Sequence, residues 1–219
     1  LDEWGGRATY PHMSVGWAIA FDAPFAFTKQ VAGDFGGTRN GTVIHWPAGM
    51  KAKGEIRSQF SHVIDIAPTV LEATGIAEPT FVNGVRQVPM QGTSLMYAFD
   101  NHDAKEKHSI QYFEIIGNRA IYNNGWLARA TVKLPWENKK LNEIKDDTGW
   151  QLFDTREDFS LANDLSSQYP DRLNAMKGQF IKEAVENGAF PLDDRLLERL
   201  LPEVAGRPTL MGDRTSLTL

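Results

Sequence analysis

The chain has 219 residues, 42% of them hydrophobic and 23% charged, with 23 Lys and Arg against 28 Asp and Glu for a net charge of −5, and it contains no cysteine. That length is enough to bury a core, either as one large domain or as a domain with a small appendage. The scattered basic residues exclude nucleic acid and anionic membrane as partners, and no apolar run approaches a membrane span. Without cysteine, disulfides, thiolate metal sites and a cysteine nucleophile are excluded within these residues.

At the start, Leu1-Asp2-Glu3-Trp4-Gly5-Gly6 has neither an initiator Met nor the basic and apolar regions of a signal peptide, which predicts a chain that begins inside a longer protein. Residues 1–22 are rich in aromatics and glycine with no clean period of 2 or 3.6, so a covering loop is expected there. His12 in that loop either lines a site or bonds to backbone and water, as loop histidines commonly do.

The stretch that follows is the best candidate for chemistry. Lys29 comes after the run Ala23-Pro24-Phe25-Ala26-Phe27-Thr28, and Gly36-Gly37-Thr38-Arg39 leads into Thr42-Val43-Ile44-His45-Trp46. An ammonium offers three charge-assisted hydrogen bonds, and adjacent glycines let backbone N–H groups approach an oxyanion, so the pairing suits an anion. A solvated surface lysine beside an ordinary Gly-Gly turn is the alternative reading. Asn40-Gly41-Thr42 matches a glycosylation sequon but abuts the next element and carries no weight.

Residues 41–46 are apolar, β-branched and stopped by Pro47, which predicts a buried strand. Lys51 and Lys53 in 48–55 read as a solvated turn. Val63, Ile64, Ile66, Ala67, Val70, Leu71 and Ala73 form a helical stripe closed by Gly75, with Asp65 as N-cap and Pro68 in the first turn. The cap also accounts for the nearby His62 without a catalytic pair. Residues 79–89, punctuated by glycine and proline, read as a connector, and a domain boundary is expected near 101–107, where charged residues replace apolar ones.

Beyond that boundary the period shortens. Residues 109–115, 119–122 and 126–132 read as strands, the last two joined by Asn123-Asn124-Gly125, a strong hairpin signal. Residues 150–154 add a fourth strand. The antiparallel sheet needs a cover, supplied by a helix over 170–186 whose Leu173, Met176, Phe180, Ile181, Ala184 and Val185 recur at spacings of 3 or 4. A short helix at 194–201 and an extended tail at 202–219 complete the expectation.

Taken together, several segments resemble the C-terminal part of a bacterial arylsulfatase of the formylglycine-dependent family, in the alkaline phosphatase superfamily. They are Gly16-Trp17-Ala18, Pro24-Phe25, Thr28-Lys29-Gln30, Phe35-Gly36-Gly37-Thr38-Arg39-Asn40-Gly41, Val43 to Pro47, Ile56-Arg57-Ser58-Gln59-Phe60 and His62-Val63-Ile64-Asp65-Ile66-Ala67-Pro68-Thr69. Trp150-Gln151-Leu152-Phe153-Asp154, Ala162-Asn163-Asp164-Leu165 and Pro191-Leu192-Asp193-Asp194-Arg195 close the match, which covers nearly the whole chain in order and spacing.

The resemblance implies an α/β chain that is α+β in its C-terminal part. Residues 1–105 would end a large mixed-sheet domain, and 106–219 would form a small domain of four antiparallel strands on a helix. It implies a sulfate ester as small-molecule substrate and gives Lys29 the sulfate-contacting role, with His12 as a second substrate-lining candidate. Gly36, Gly37 and Arg39 match the family's Gly-Gly-x-Arg turn and carry a structural role, although Phe35 stands where many relatives have a glutamate and Asp34 lies one position earlier. The family's nucleophile is a formylglycine made in a Cys/Ser-x-Pro-x-Arg motif, and its calcium is held by aspartates and an asparagine. Neither formylglycine nor a calcium site is expected within residues 1–219, and Asp193-Asp194 is not read as a metal site.

The implied chain is therefore inactive alone and partnered by the N-terminal sulfatase portion or by further copies of itself. It is expected to be soluble, in a bacterial periplasm or cytoplasm. Two other readings stand beside it: a phosphodiesterase or phosphonate hydrolase of the same superfamily, and a noncatalytic interaction module in which Lys29 is a surface group.

Overall fold

The computed structural model describes residues 5–9, 12–134, 136–137, 149–190 and 192. Helices α1 (Val15–Asp22), α2 (Phe35–Thr38), α3 (Ile66–Thr74) and α4 (Pro170–Glu186) accompany strands β1 (Phe81–Val82), β2 (Val85–Arg86), β3 (Ile110–Ile115), β4 (Asn118–Asn123), β5 (Trp126–Ala130) and β6 (Trp150–Asp154). β1 and β2 form an antiparallel hairpin, and the other four strands form an antiparallel meander in the order β3-β4-β5-β6. By internal contacts the chain divides into two compact units. One comprises Leu1–Arg39, Tyr112–Ile121 and Leu127–Leu219, the other Asn40–Gln111 and Tyr122–Trp126.

In the first unit the sequence pattern is realised closely. Pro170 opens α4, where its missing N–H costs nothing, and Gly188 beyond the helix adopts φ +68°. Met176, Phe180 and Ala184 are buried one turn apart, and the Phe180 ring meets Trp150 and Tyr112 edge-on at centroid distances of 5.6 and 6.3 Å. Ile181 and Val185, expected on the same stripe, are exposed because they fall at its margin. Within β4, Asn118, Arg119, Ala120, Ile121 and Tyr122 are all buried. Alternate side chains leave opposite faces of a strand, so continuous burial requires two covers. Arg119 points to the α4 face, its guanidinium 5.3 Å from the Trp150 ring, while Asn118 and Arg129 reach the 30–34 loop on the other.

In the second unit a 3₁₀ turn at Val63–Asp65 leads into α3. Gly75 takes φ +68° and returns its N–H to Glu72 O, with Ile76 N–H bonding Leu71 O, so the expected glycine stop is present. Arg57 ties this unit together by donating to the carbonyls of Ala98 and Phe99, both at 2.6 Å. The Phe60 ring stacks on Tyr122 at 3.8 Å, and Tyr122 Oη donates to Glu106 at 2.8 Å.

Four expectations need correction. Residues 1–22 are not all loop: Val15–Asp22 is helical, and it shows no period because none of its residues is buried. Residues 41–46 form no strand, and Val43 is 94% exposed. Their β-branched composition favours extended backbone, but a strand exists only by pairing, and among the described residues they have no ladder partner. The connector at 79–89 contains β1 and β2, turned by Asn83 at φ +50° and Gly84 at φ +79°. Finally, Val63, Ile66 and Val70 on the stripe of α3 are 69%, 50% and 54% exposed, while Asp65 and Thr69 are the buried pair. The helix and tail expected at 194–219 lie outside the described residues.

Candidate functional site

The first unit holds the Lys29 loop. Two non-glycine residues flank the lysine in the left-handed region, Phe27 at φ +65° and Gln30 at φ +75°, so the backbone reverses sharply around an exposed Lys29. Val31, fully buried, anchors the loop on its C-terminal side. The glycines of α2 close it from the other. A Cβ on Gly36 would collide with the carbonyls of Phe27 and Ala26, and one on Gly37 with those of Val31 and Thr28. Glycine is therefore required at both positions for α2 to lie against residues 26–31. Gly37 N–H donates to Asp34 O at 2.9 Å.

Arg39 closes the turn, its backbone N–H on Phe35 O at 2.8 Å. Its guanidinium lies over the rings of Phe159, Phe25 and Phe35 at 4.4, 5.4 and 5.4 Å, and partial desolvation there lowers its pKa. Asp34, the nearest carboxylate in sequence, turns instead to Arg129 of β5. The two form an ion pair with 1% and 8% of their surfaces exposed. Burial pushes the Arg129 guanidinium down to about 10, with Asp164 opposing, so it remains charged at neutral pH beside its partner. Arg129 also lies over the Phe153 ring at 4.7 Å and donates from Nε to Gln151 Oε1 at 3.2 Å. His12 is an exposed coil residue three positions before α1.

The second unit contains a polar centre that residue spacing does not reveal. Asp65 is fully buried and accepts from His62 N–H (2.8 Å), Thr93 N–H (2.7 Å) and His108 Nδ1 (2.7 Å). His108 Nε2 lies 3.1 Å from Gln111 Oε1. Thr69 Oγ1 donates to Asp65 O and accepts from Leu95 N–H, which pins the 92–95 loop to α3. Asp65 is the N-cap residue of α3, as expected, but its side chain makes no capping bond to that helix; it serves instead as the N3 member of a reciprocal capping box with His62 at the preceding 3₁₀ turn. Although an Asp–His pair suggests acid–base chemistry, Gln111 occupies the outer nitrogen. The pair joins α3, the 92–95 loop and the entry to β3. His108 lies 43 residues from Asp65, and no local signal announces the contact.

Among the described residues no group of three or more His, Asp or Glu side chains converges to hold a metal ion. Asp193 and Asp194 lie outside the described residues. No described helix is long and apolar enough to cross a membrane.

Fold and sequence together define the chain as similar to the C-terminal portion of a sulfatase. It is 27% identical over 196 residues to an uncharacterized sulfatase of Schizosaccharomyces pombe, covering 89% of this chain and 33% of that protein. Among solved structures, Ps i-CgsB in complex with k-i-k-neocarrahexaose superposes with a TM-score of 0.56 at 22% identity, over 85% of this chain and 37% of that one. BT33336S-sulf, from work on the metabolism of multiple glycosaminoglycans by Bacteroides thetaiotaomicron, gives 0.51 at 17% identity, over 72% and 31%. These two likenesses concern the fold. No protein-family model matches the chain. It spans about a third of the length of the curated relative.

Proposed function

We propose that the chain is the C-terminal part of an enzyme that hydrolyses sulfate esters, of the arylsulfatase type, with residues 1–105 completing its large domain and 106–219 forming its small one. The observation that carries this reading is the similarity in sequence and fold to sulfatases along most of the chain. Lys29 contacts the sulfate group. The ester's S–O bond breaks with negative charge growing on the leaving oxygen and spread over the sulfate oxygens. A fixed ammonium stabilises that charge without reorganising. Lys29 suits the role because its loop is closed on both sides, by the glycines of α2 and by buried Val31, while the lysine itself is exposed. His12 is the second substrate-lining candidate.

The nucleophile, as formylglycine, and the calcium ligands come from residues outside this chain, so the chain alone is inactive. Its exposed apolar surface supports this. In the second unit Val43, Ile56, Val63 and Val70 are 94%, 79%, 69% and 54% exposed, and in the first unit Trp17 and Phe21 are 65% and 72% exposed. A self-sufficient domain rarely leaves so many large apolar side chains in water, whereas part of a larger fold exposes those that the remainder covers. The enzyme is soluble, in a bacterial periplasm or cytoplasm.

The test is hydrolysis of 4-nitrophenyl sulfate and of bis(4-nitrophenyl) phosphate by this chain alone and by the full-length protein that carries it. The reading requires no turnover by the chain alone and preference for the sulfate by the full-length protein. Preference for the diester would move the assignment to a phosphodiesterase, and no turnover of either by the full-length protein would favour a noncatalytic module.

A further inference from the structure

We propose that Asn118 is a positioning residue for Lys29, an inference that rests on the sulfate-contacting role given to that lysine above. Asn118 opens β4, is 2% exposed and uses the full capacity of its side-chain amide. Its Nδ2 donates to Gln30 O at 3.1 Å and to Lys133 O at 2.8 Å, and its Oδ1 accepts from Val132 N–H at 2.9 Å and Lys133 N–H at 3.3 Å. Three of these bonds fasten β4 to the chain leaving β5, which is sheet architecture. The fourth crosses 88 residues of sequence to the residue next to Lys29.

That fourth bond falls on a strained peptide. Gln30 sits at φ +75°, a conformation that is unfavourable for a non-glycine residue and persists only where the surroundings impose it. Gln30 O accepts from Asn118 within the sheet, so the Gln30–Val31 peptide, one residue beyond Lys29, is held by a group that is itself immobilised by three further bonds. On the other side, Gly37 packs against the carbonyl of Thr28, the residue before Lys29. The lysine is thus bracketed. The residues on its two sides are referenced to β4 through Asn118 and to α2 through Gly37, which limits how far its backbone can shift.

A lysine that stabilises charge in a transition state must be placed before the reaction, and a displacement of about 1 Å can cost up to about 100-fold in rate. Releasing the Gln30 peptide should therefore act on kcat through Lys29 while the sheet persists. In the full-length protein, Asn118→Ala and the isosteric Asn118→Asp are measured on 4-nitrophenyl sulfate in both the Lys29 and the Lys29→Ala backgrounds, with thermal melts on each variant. The proposal predicts a roughly 10–100-fold fall in kcat, with KM changed much less, when Lys29 is present, and no further fall when Lys29 is already alanine.

An equal fall in both backgrounds, or no fall in a folded variant, overturns the positioning role while leaving Lys29 as a contact. A Lys29→Ala enzyme with undiminished kcat overturns the reading beneath it, and the positioning role with it. Should both Asn118 variants fail to fold, Asn118→Ser, a smaller polar change at the same position, is measured in the same two backgrounds. Unchanged kcat in that variant would overturn the proposal, and its failure to fold would make Asn118 a purely structural residue and overturn it as well.

Discussion

His108 Nδ1 lies 2.7 Å from Asp65 Oδ1 and 2.9 Å from Oδ2, so a single imidazole faces both oxygens of a carboxylate that is fully withdrawn from water. Without that imidazole the carboxylate would keep, among the described residues, the N–H groups of His62 and Thr93. A buried charge that loses a donor cannot regain it from solvent. His108→Ala is therefore expected to destabilise the protein by about 2–3 kcal/mol. Urea denaturation measures this as a lower midpoint at unchanged slope.

The same centre makes stability depend on pH through His62. Its pKa lies below the ordinary 6.5, chiefly because burial disfavours the cation, with His108 adding repulsion and Asp65 partly opposing. Between the folded and unfolded values the unfolded chain binds a proton that the folded chain does not, so stability rises with pH across that interval. The contribution is complete above about 6.5 and is lost as pH falls through the folded value. A His62→Gln variant should show a flatter stability profile between about pH 5 and 7. A profile as steep as that of the parent would place the titration elsewhere.

Arg129→Met should be among the most damaging substitutions in the first unit. It leaves Asp34, 1% exposed, as a buried carboxylate without its cation, at a cost of about 3–5 kcal/mol. Replacing both partners, as Asp34→Leu with Arg129→Met, should recover most of that loss, because two apolar groups leave no charge stranded. Thermal melts of the single and double variants decide it.

Gly37→Ala places a methyl group against two backbone carbonyls, which cannot rotate away as a side chain can. A loss of about 1–3 kcal/mol is expected, accompanied by displacement of the Lys29 loop. Gly178→Ala is the control: apart from the adjoining backbone of its own helix, no atom of the described residues lies within 4 Å of the added carbon, and alanine favours a helix, so stability should hold or rise.

Local chemistry made the meander and its helix legible. Asn124 and Gly125 take φ +48° and +83°, as an Asn-Gly hairpin turn requires, and Pro170 and Gly188 bracket α4. The same dipeptide at Asn83-Gly84 turns the β1–β2 hairpin, where flanking prolines suggested only a connector. Residues 41–46 misled for the opposite reason, since β-branched composition is local while strand pairing is not. α1 gave no period because it has no buried side. At the site, Lys29 and the glycine pair could be singled out from sequence. Their supports could not, because Gln30–Asn118 and Asp34–Arg129 join residues about 90 apart with no local pattern linking them.

The measurement that bears most directly on the account is kcat/KM of Lys29→Ala against 4-nitrophenyl sulfate in the full-length protein, with the melting temperature recorded alongside. Lys29 is exposed, so its removal should leave the fold intact. The account predicts a fall on the order of 10²–10³ from loss of one fixed charge at the sulfate. An unchanged kcat/KM in a folded variant would contradict it and make Lys29 a surface group.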